Sequence, residues 1–302
     1  MNEKTQQQIR TIILEVRGIY ESYRSKNTWT THQDIIGLGI LISCQALLIG
    51  LGYAWFIGFC PTWVTIVSIA FITSILHELE HDLIHDLYFK RIPLLYHCMM
   101  LGVYMFRPIS LNPWIRKYWH HFHHQHSGMP FDIEERGITN GDRLSLLRLL
   151  VLPDLLLSGI LRIPRLRKEI LIEYNKGNLS KNDMRLIIRT VLLGLLPFGV
   201  PLTILWYAFV VIHLLHWIGY PLAQFDLLLQ WIEPLMVLLV IPNLIRQFAL
   251  HFVSSNMHYM GDVEAGNVIQ QVQVFTPWWS TPLQWFCFFF GATHAIHHFV
   301  VN

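Results

Sequence analysis

The stretch VTIVSIAFITSILHELEHDLIH, residues 64–85, joins an apolar run to a group of histidines and decides the fold. The apolar part belongs to a run of about the length that a membrane-spanning helix requires, and its end carries His77, His81 and His85. At a spacing of four residues these three side chains lie on one helical face, with about 40° of drift per step. Ionisable groups at a membrane helix end are costly unless they face a polar interior, so we expect a functional site there.

Two further groups of histidines read HHFHHQH over residues 120–126 and HAIHH over residues 294–298. On a helix, His121 would point away from the other members of its group, and His126 could go either way. Three members share a narrow arc, namely His120, His123 and His124. Because neutral imidazole is the commonest protein ligand for transition metals, so many histidines suggest more than one metal ion.

The composition indicates an integral membrane protein. The 302 residues have a mean hydropathy of +0.40, with 53% hydrophobic and only 14% charged residues, which a soluble domain of this length rarely tolerates. The first residues, MNEKTQQQIR, contain no apolar core followed by a cleavage site, so a removable secretory signal is not expected.

Four apolar runs predict an all-α membrane protein with two transmembrane hairpins, that is, four spans. The runs cover residues 34–59, about 62–82, 190–217 and 227–250, and each is near the roughly 20 residues that a bilayer requires. Proline kinks are expected in the second hairpin, where neighbouring helices can satisfy the freed carbonyls.

Basic residues predict the orientation of the spans. None of the 22 Lys and Arg residues lies in 27–89 or 190–245, so both hairpin tips lack positive charge. By the positive-inside rule, both termini and the loop between the hairpins are cytoplasmic. All three histidine groups then share one side, and we expect a cytoplasmic helical cap that carries a histidine-rich site for two metals.

Shorter apolar segments are not expected to cross the membrane. Residues 92–106 and 144–161 are predicted to be interfacial or re-entrant, and residues 8–23 predict an amphipathic helix on the cytoplasmic surface. The chain is therefore divided into an N-terminal segment, 1–33, and one membrane domain, 34–302.

The pattern HExxH at residues 77–81 also matches the zinc protease signature, in which Glu78 would be the general base. An intramembrane zinc metalloprotease is therefore an alternative, although one zinc with three protein ligands leaves two histidine groups unexplained. A third possibility is a histidine-rich membrane scaffold or metal-handling protein without catalytic activity.

The HExxH and two HxxHH motifs, placed at the ends of paired spans, resemble those of the membrane fatty acid desaturase and hydroxylase superfamily. This superfamily includes acyl desaturases and alkane hydroxylases, and the resemblance covers the chain from about residue 34 to its end. It implies two non-haem irons, O2 as co-substrate, a lipid or fatty acyl substrate, and a ligand set of eight or nine histidines. Relatives commonly continue past the third motif, so a short or truncated homologue is expected.

The resemblance also implies which histidines bind iron. One ligand usually lies outside the three motifs, and it best matches His258 in SSNMHYMGD, residues 254–262, with His251 as the alternative. The first motif has two possible registers, His77 with His81 or His81 with His85. The full set of candidate ligands is His77, His81, His85, His120, His123, His124, His258, His294, His297 and His298.

The expected reaction is O2-dependent formation of a double bond, with hydroxylation of an alkyl or acyl chain as the alternative.

Cys44, Cys60, Cys98 and Cys287 form no CxxC pair and are expected to be buried, reduced thiols, and no fused haem motif is present. A separate ferredoxin, rubredoxin or cytochrome, with its reductase, is therefore implied as electron carrier. Residues 107–190 hold 14 basic and 8 acidic residues, a net +6 that could steer such a carrier or bind anionic lipids. Nothing indicates nucleic-acid binding.

Overall fold

The computed structural model of the protein describes residues 1–261, 263–264 and 266–300. Within these residues the regular elements are all helical, apart from one isolated β-bridge between His258 and Val272. The all-α prediction is therefore confirmed. The α-helices are α1 Glu3–Lys26, α2 Gln33–Phe56, α3 Thr62–Ile84, α4 Pro93–Met105, α5 Pro113–His126, α6 Ile133–Gly137, α7 Leu146–Val151, α8 Leu155–Asn175, α9 Lys181–Leu193, α10 Gly199–Trp217, α11 Asp226–Leu235, α12 Ile241–Met257, α13 Val268–Gln271, α14 Thr281–Phe286 and α15 Phe290–Phe299.

Four helical stretches in the described part of the chain are long and apolar enough to span a bilayer, as the sequence predicts. They are Thr28–Phe56, Thr62–Ile84, Gly199–Trp217 and Leu222–Met257. Together with the histidine groups described below, they make this an integral membrane protein built from two hairpins. The cytoplasmic position of the helical cap stays a prediction.

The boundaries of the second hairpin differ from the predicted ones. Residues 190–193 belong to α9, and the third span begins only at Gly199, beyond Pro197. Proline lacks the N–H that would continue the helix, which explains the break. The fourth span continues to Met257 through a π-helical turn at Met236–Val240. This turn lies between Pro234 and Pro242, where missing N–H groups loosen the regular hydrogen-bond ladder.

Helix α3 is the central element of the membrane part. It packs against α2, α4 and α12, and Leu76, Leu83 and Ile84 on it are completely buried. The outer face of α2 instead exposes apolar side chains such as Leu47 and Ile49. An apolar outer face is what a bilayer requires, because lipid tails cover it without cost.

The shorter apolar segments are not among the four spans, and their interfacial or re-entrant position stays a prediction. Helix α4 has 13 residues, so at 1.5 Å per residue it is only about 20 Å long, whereas the hydrocarbon core is about 30 Å thick. Residues 144–161 are divided between α7 and the first turns of α8. Residues 8–23 lie within α1, as the amphipathic pattern predicts.

All four cysteines are free, as predicted, but their burial varies. Cys44 and Cys287 are buried and Cys60 is half-buried, whereas Cys98 on α4 is exposed. The expectation that all four are buried is therefore wrong for Cys98, because one face of α4 points outward.

Gly291 fixes the position of the third histidine motif. A Cβ atom at this position would lie 2.4 Å from the carbonyl oxygen of Phe275 and 2.5 Å from the side-chain nitrogen of Gln284. Any larger residue would therefore push the first turn of α15 away from its neighbours. The preceding residues, Phe288 and Phe289, adopt left-handed φ angles of 47° and 58°, which separate α14 from α15.

We expect single cysteines near Thr62 and Leu222, at the tips of the two hairpins, to react with an impermeant thiol reagent added outside the cell. A cysteine near Arg143 should react only after permeabilisation, because the loop that carries it is rich in basic residues. The four native cysteines are replaced for this measurement, and external labelling near Arg143 would contradict the orientation. The predicted cytoplasmic position of Asn302 lies outside the described residues.

Candidate metal centre

Eight histidines form two groups of four whose ligand atoms lie within 4.8 Å of one another in each group. The first group consists of His81, His85, His120 and His297. The second group consists of His123, His258, His294 and His298. Seven of the eight are buried, and His297 is half-buried. Each group therefore has the composition and the closeness of a metal site.

The helices interleave the two groups. Helix α5 supplies His120 to the first group and His123 to the second, while α15 supplies His297 to the first and His298 to the second. The end of α3 completes the first group with His81 and His85, whereas the second is completed by His294, also on α15, and by His258, which follows α12. Because two helices contribute to both groups, the groups are neighbours in one interior.

His124 lies between the two groups. Its Nε2 atom is 3.0 Å from Nε2 of His120 and 3.0 Å from Nε2 of His297. Its ring centroid is also 4.8 Å from that of His298 in the second group. His124 therefore brings a ninth imidazole to the same interior.

The distances between ring nitrogens suit shared metal ions. Nε2 of His297 lies 2.9 Å from Nε2 of His85, and Nε2 of His298 lies 3.1 Å from Nε2 of both His258 and His294. Two nitrogens that each lie about 2.1 Å from one ion, in directions about 90° apart, are separated by about 3.0 Å. The donor set therefore fits two metal ions bound by imidazole.

Carboxylates orient two of these imidazoles through Nδ1, and a backbone carbonyl orients a third. His123 donates to Asp132 at 2.9 Å, and His120 donates to Glu134 at 3.0 Å. Nδ1 of His258 donates to the carbonyl oxygen of Ser254 at 3.0 Å, and the carboxylate of Glu135 lies 3.3 Å from the same nitrogen. When Nδ1–H is held in this way, the lone pair of Nε2 is free for a metal, and such partners fix the ring and raise its basicity.

These carboxylates were missed by sequence reasoning. They lie in the segment DIEE, residues 132–135, which forms the start of α6 shortly after the second histidine motif. One signal could have revealed them. Three of the four residues in this segment are acidic, and the segment follows closely after a histidine group.

Burial keeps most of these histidines neutral. It lowers the pKa of His85 to about 3 and that of His297 to about 4, in both cases helped by the charge of neighbouring histidines. Although burial disfavours the charged form of His123 too, the adjacent Asp132 carboxylate raises its pKa to about 9. Neutral imidazole is the form that binds a metal, and a metal at His123 must displace its proton.

His77 lies outside both groups. Its Nδ1 atom accepts hydrogen bonds from the guanidinium groups of Arg107 at 3.0 Å and Arg116 at 3.4 Å. A guanidinium has only donors, so the proton of a neutral His77 ring is on Nε2. This is the reverse of the arrangement at His120 and His123, and it leaves no lone pair on Nε2. The structure thus brings together His81 and His85, the second of the two possible registers.

His258, rather than His251, enters the second group. Nδ1 of His251 donates to the carbonyl of Leu152 at 2.6 Å, and its ring lines a neighbouring cavity. The remaining histidines also lie outside both groups. His121 bonds to the carbonyl of Ile84, as its helical position predicts, and His126 bonds to that of Phe122.

His32, His97, His213 and His216 have no motif around them, so the sequence assigns none of them to a metal site. His97 accepts a hydrogen bond from Trp114, and His32 belongs to neither group. Because His213 and His216 lie in the apolar run 190–217, the sequence predicts that they hydrogen-bond inside the bundle. This is wrong, because both are exposed and bond to the carbonyls of Phe209 and Tyr220 near them in sequence.

A buried ion-pair network connects α3 with α5. The carboxylate oxygens of Glu80 accept hydrogen bonds from the guanidinium groups of Arg107, at 2.5 Å, and Arg116, at 2.7 Å. The side chain of Glu80 is completely buried. Removing one partner of a buried ion pair typically costs about 3–5 kcal/mol, because it leaves a charge without compensation. This network fixes the end of α3 and therefore the position of His81 and His85.

A cavity of about 240 Å³ lies against both histidine groups. Its wall includes His120 of the first group and three members of the second, His123, His258 and His294. Much of the remaining wall is apolar and comes from α8 and α9. The cavity thus places an apolar chamber next to the metal ligands.

Comparison with known proteins gives one finding. A model of the family described as fatty acid desaturase matches residues 57–302. Neither the curated proteins nor the solved structures contain a significant match to this chain.

We expect His258→Ala to lower the iron bound to purified protein from two ions per chain towards one, because it removes a buried nitrogen of the second group. His251→Ala should keep both ions, since its Nδ1–H is held by a backbone carbonyl. Elemental analysis of both variants measures the difference. Loss of iron from His251→Ala alone would show that the ligand outside the three motifs is not His258.

We expect Asp132→Asn to weaken metal retention about 10- to 100-fold, the usual effect of losing a carboxylate that orients a ligating histidine. The measurement is the iron that remains after dialysis against a graded series of chelator concentrations. Asp183→Asn, at the start of α9, is the matched control and should behave as the unchanged protein. Equal retention in both variants would contradict this role of Asp132.

Proposed function

We propose that this chain, which belongs to the fatty acid desaturase family, is an O2-dependent oxidoreductase that introduces a double bond into a fatty acyl chain at a pair of non-haem irons. The single observation that carries this proposal is the pairing of two four-histidine groups with an apolar cavity at their side. Hydroxylation of the same chain is the alternative outcome, since both reactions begin by breaking a C–H bond.

We assign the iron ligands to the two groups, with His124 as a ninth ligand between them. This assignment departs from the sequence prediction only at His77, because two guanidinium groups face its Nδ1 atom. Two irons bound in this way supply the activation of O2 and the two-electron oxidation of an unactivated carbon chain.

Other residues orient the iron ligands, hold the hydrocarbon chain and position the helices. Asp132 and Glu134 hold the imidazoles of His123 and His120 in the orientation that presents Nε2, and the carbonyl of Ser254 holds that of His258. The apolar wall from α8 and α9 excludes water and holds a hydrocarbon chain next to His120 and the second group. The ion pairs of Glu80 keep α3 and α5 in register.

The electrons are proposed to come from a separate ferredoxin, rubredoxin or cytochrome, with its reductase. We place the site and both termini on the cytoplasmic side, where such a carrier would be available. The net charge of +6 over residues 107–190 supports docking of an acidic carrier, and it would also favour anionic lipid headgroups.

The protease alternative is disfavoured by the geometry of the HExxH motif. A zinc protease needs both histidines of this motif on one ion, with the glutamate beside it. Here His81 is grouped with His85, while His77 faces Arg107 and Arg116.

The proposed function predicts two irons per chain and an O2-dependent change in lipid composition. Cells that express the protein in iron-supplemented medium should accumulate unsaturated acyl chains under air but not without O2, as measured by mass spectrometry. His297→Ala should abolish the product and lower bound iron. His213→Ala, at an exposed position on α10, should leave both unchanged. Purified protein that contains one zinc, no iron and proteolytic activity would establish the protease instead.

A further inference from the structure

Arg246 is a buried cation without a carboxylate partner. Its side chain lies on α12 and is about 1% exposed, and none of the described carboxylates lies within 4.0 Å of its guanidinium group. Nη2 donates to Oγ of Ser110 at 3.0 Å and Nε donates to Asn243 at 3.4 Å, whereas Nη1 has no partner among the described residues. Arg107 and Arg116 differ, because both pair with Glu80.

Arg246 lines the cavity that adjoins the histidine groups. Ser110 and Gln247 lie beside it in the same wall, and the side-chain oxygen of Gln247 is also without a partner. The acidic residues of the wall are already engaged. Glu134 accepts from His120, and Glu135 accepts from Ser254 and Asn140. Burying an unpaired guanidinium is strongly unfavourable in free energy. An anion bound at this end of the cavity would compensate the charge and stabilise the protein.

The rest of the cavity suits a single hydrocarbon chain. Leu155, Leu156 and Leu195 form part of its wall, and Ile160 and Val191 reach the surface, where they are 57% and 55% exposed. The volume of about 240 Å³ is small for a whole ligand, since sites that enclose one are about 300–1,000 Å³. The cavity can therefore take the end of one chain, while the remainder leaves past the exposed apolar rim.

We propose that this cavity binds the carboxylate of a free, single-chain fatty acid at Arg246, so that the carbons near the carboxyl end face the metal centre. The inference deepens the proposed function and rests on it for the reaction, although the binding itself requires no chemistry. His77 adds a second donor, because its Nε2–H has no partner among the described residues and its ring lines the same cavity.

The position of the anion determines which carbons are oxidised. Histidines of both groups line the same cavity of about 240 Å³ as Arg246, so the inference places the first carbons of the chain beside them. The distal methyl end instead lies towards the rim at Ile160 and Val191. The product should therefore carry its new double bond or hydroxyl group near the carboxyl end of the chain.

The main rival explanation is that Arg246 compensates the buried carboxylate of Glu78 on α3. Oε1 of Glu78 is itself without a partner among the described residues, and no ion pair within 4.0 Å joins the two side chains. If compensation were the role of Arg246, removal of both charges together would leave palmitate binding unchanged. The double variant Arg246→Gln with Glu78→Gln tests this directly.

The experiment measures thermal denaturation of the purified protein in detergent at pH 8. The probes are palmitate, hexadecanol, hexadecane and a sixteen-carbon lysophosphatidic acid. Palmitate should raise the melting temperature, and the neutral sixteen-carbon compounds should raise it much less. Arg246→Gln should weaken palmitate binding about 10- to 100-fold, the usual effect of losing a hydrogen bond to a charged group. Arg246→Lys should retain part of the binding.

Arg165→Gln is the matched control, because Arg165 lies on α8 but is 59% exposed and does not line the cavity. It should bind palmitate as the unchanged protein does. Ser110→Ala keeps the guanidinium and should weaken binding only slightly, so it tests the site even if Arg246→Gln does not fold. Without ligand, Arg246→Gln should be at least as stable as the unchanged protein, because an uncompensated charge has been removed.

Four outcomes would overturn the inference. They are equal stabilisation by hexadecanol and palmitate, unchanged palmitate binding in Arg246→Gln, restored binding in the double variant with Glu78→Gln, and stronger binding of lysophosphatidic acid than of palmitate. The last result would assign the site to a phosphate headgroup.

Failure of this inference can be separated from failure of the proposed function. Carboxylate-selective binding without any O2-dependent product would contradict the proposed function and leave the binding site intact. Oxidation of chains that is unaffected by Arg246→Gln, or that occurs far from the carboxyl group, would contradict the inference and leave the function intact.

Discussion

The rest of the structure depends on the ion pairs that the buried carboxylate of Glu80 forms. It receives guanidinium groups from Arg107 and Arg116, and these three charges are almost completely removed from water. Charges at the end of a membrane helix are unfavourable unless they are paired, so this network specifies one arrangement of α3 relative to α5. That arrangement brings the histidines of the two helices into one interior.

The same network separates His77 from the histidines that follow it on α3. Two guanidinium groups face Nδ1 of His77, whereas carboxylates face Nδ1 of His120 and His123. A cationic neighbour forces the ring nitrogen to accept, and an anionic neighbour makes it donate. The identity of the neighbouring residue therefore decides whether the opposite nitrogen presents a proton or a lone pair.

The cavity shows a second consequence of placing many charges in a membrane interior. Glu80 compensates two of the three arginines near the histidine groups, and Arg246 is left with hydroxyl and amide partners only. A site of this kind is polar at its inner end and apolar towards α8 and α9. Such a gradient is suited to a molecule that is itself polar at one end and apolar over the rest of its length.

The sequence by itself determined the membrane class, the number of spans and the three histidine groups, because apolar run length and helical spacing are local properties. It also left open whether His77 or His85 accompanies His81, and whether His258 or His251 completes the set. Only the tertiary structure separates these alternatives, since the positions of His77 and His251 depend on partners distant in the chain, Arg107 and the carbonyl of Leu152. The division of eight imidazoles into two groups, with α5 and α15 contributing to both, likewise arises from how the helices pack. No local pattern encodes that packing.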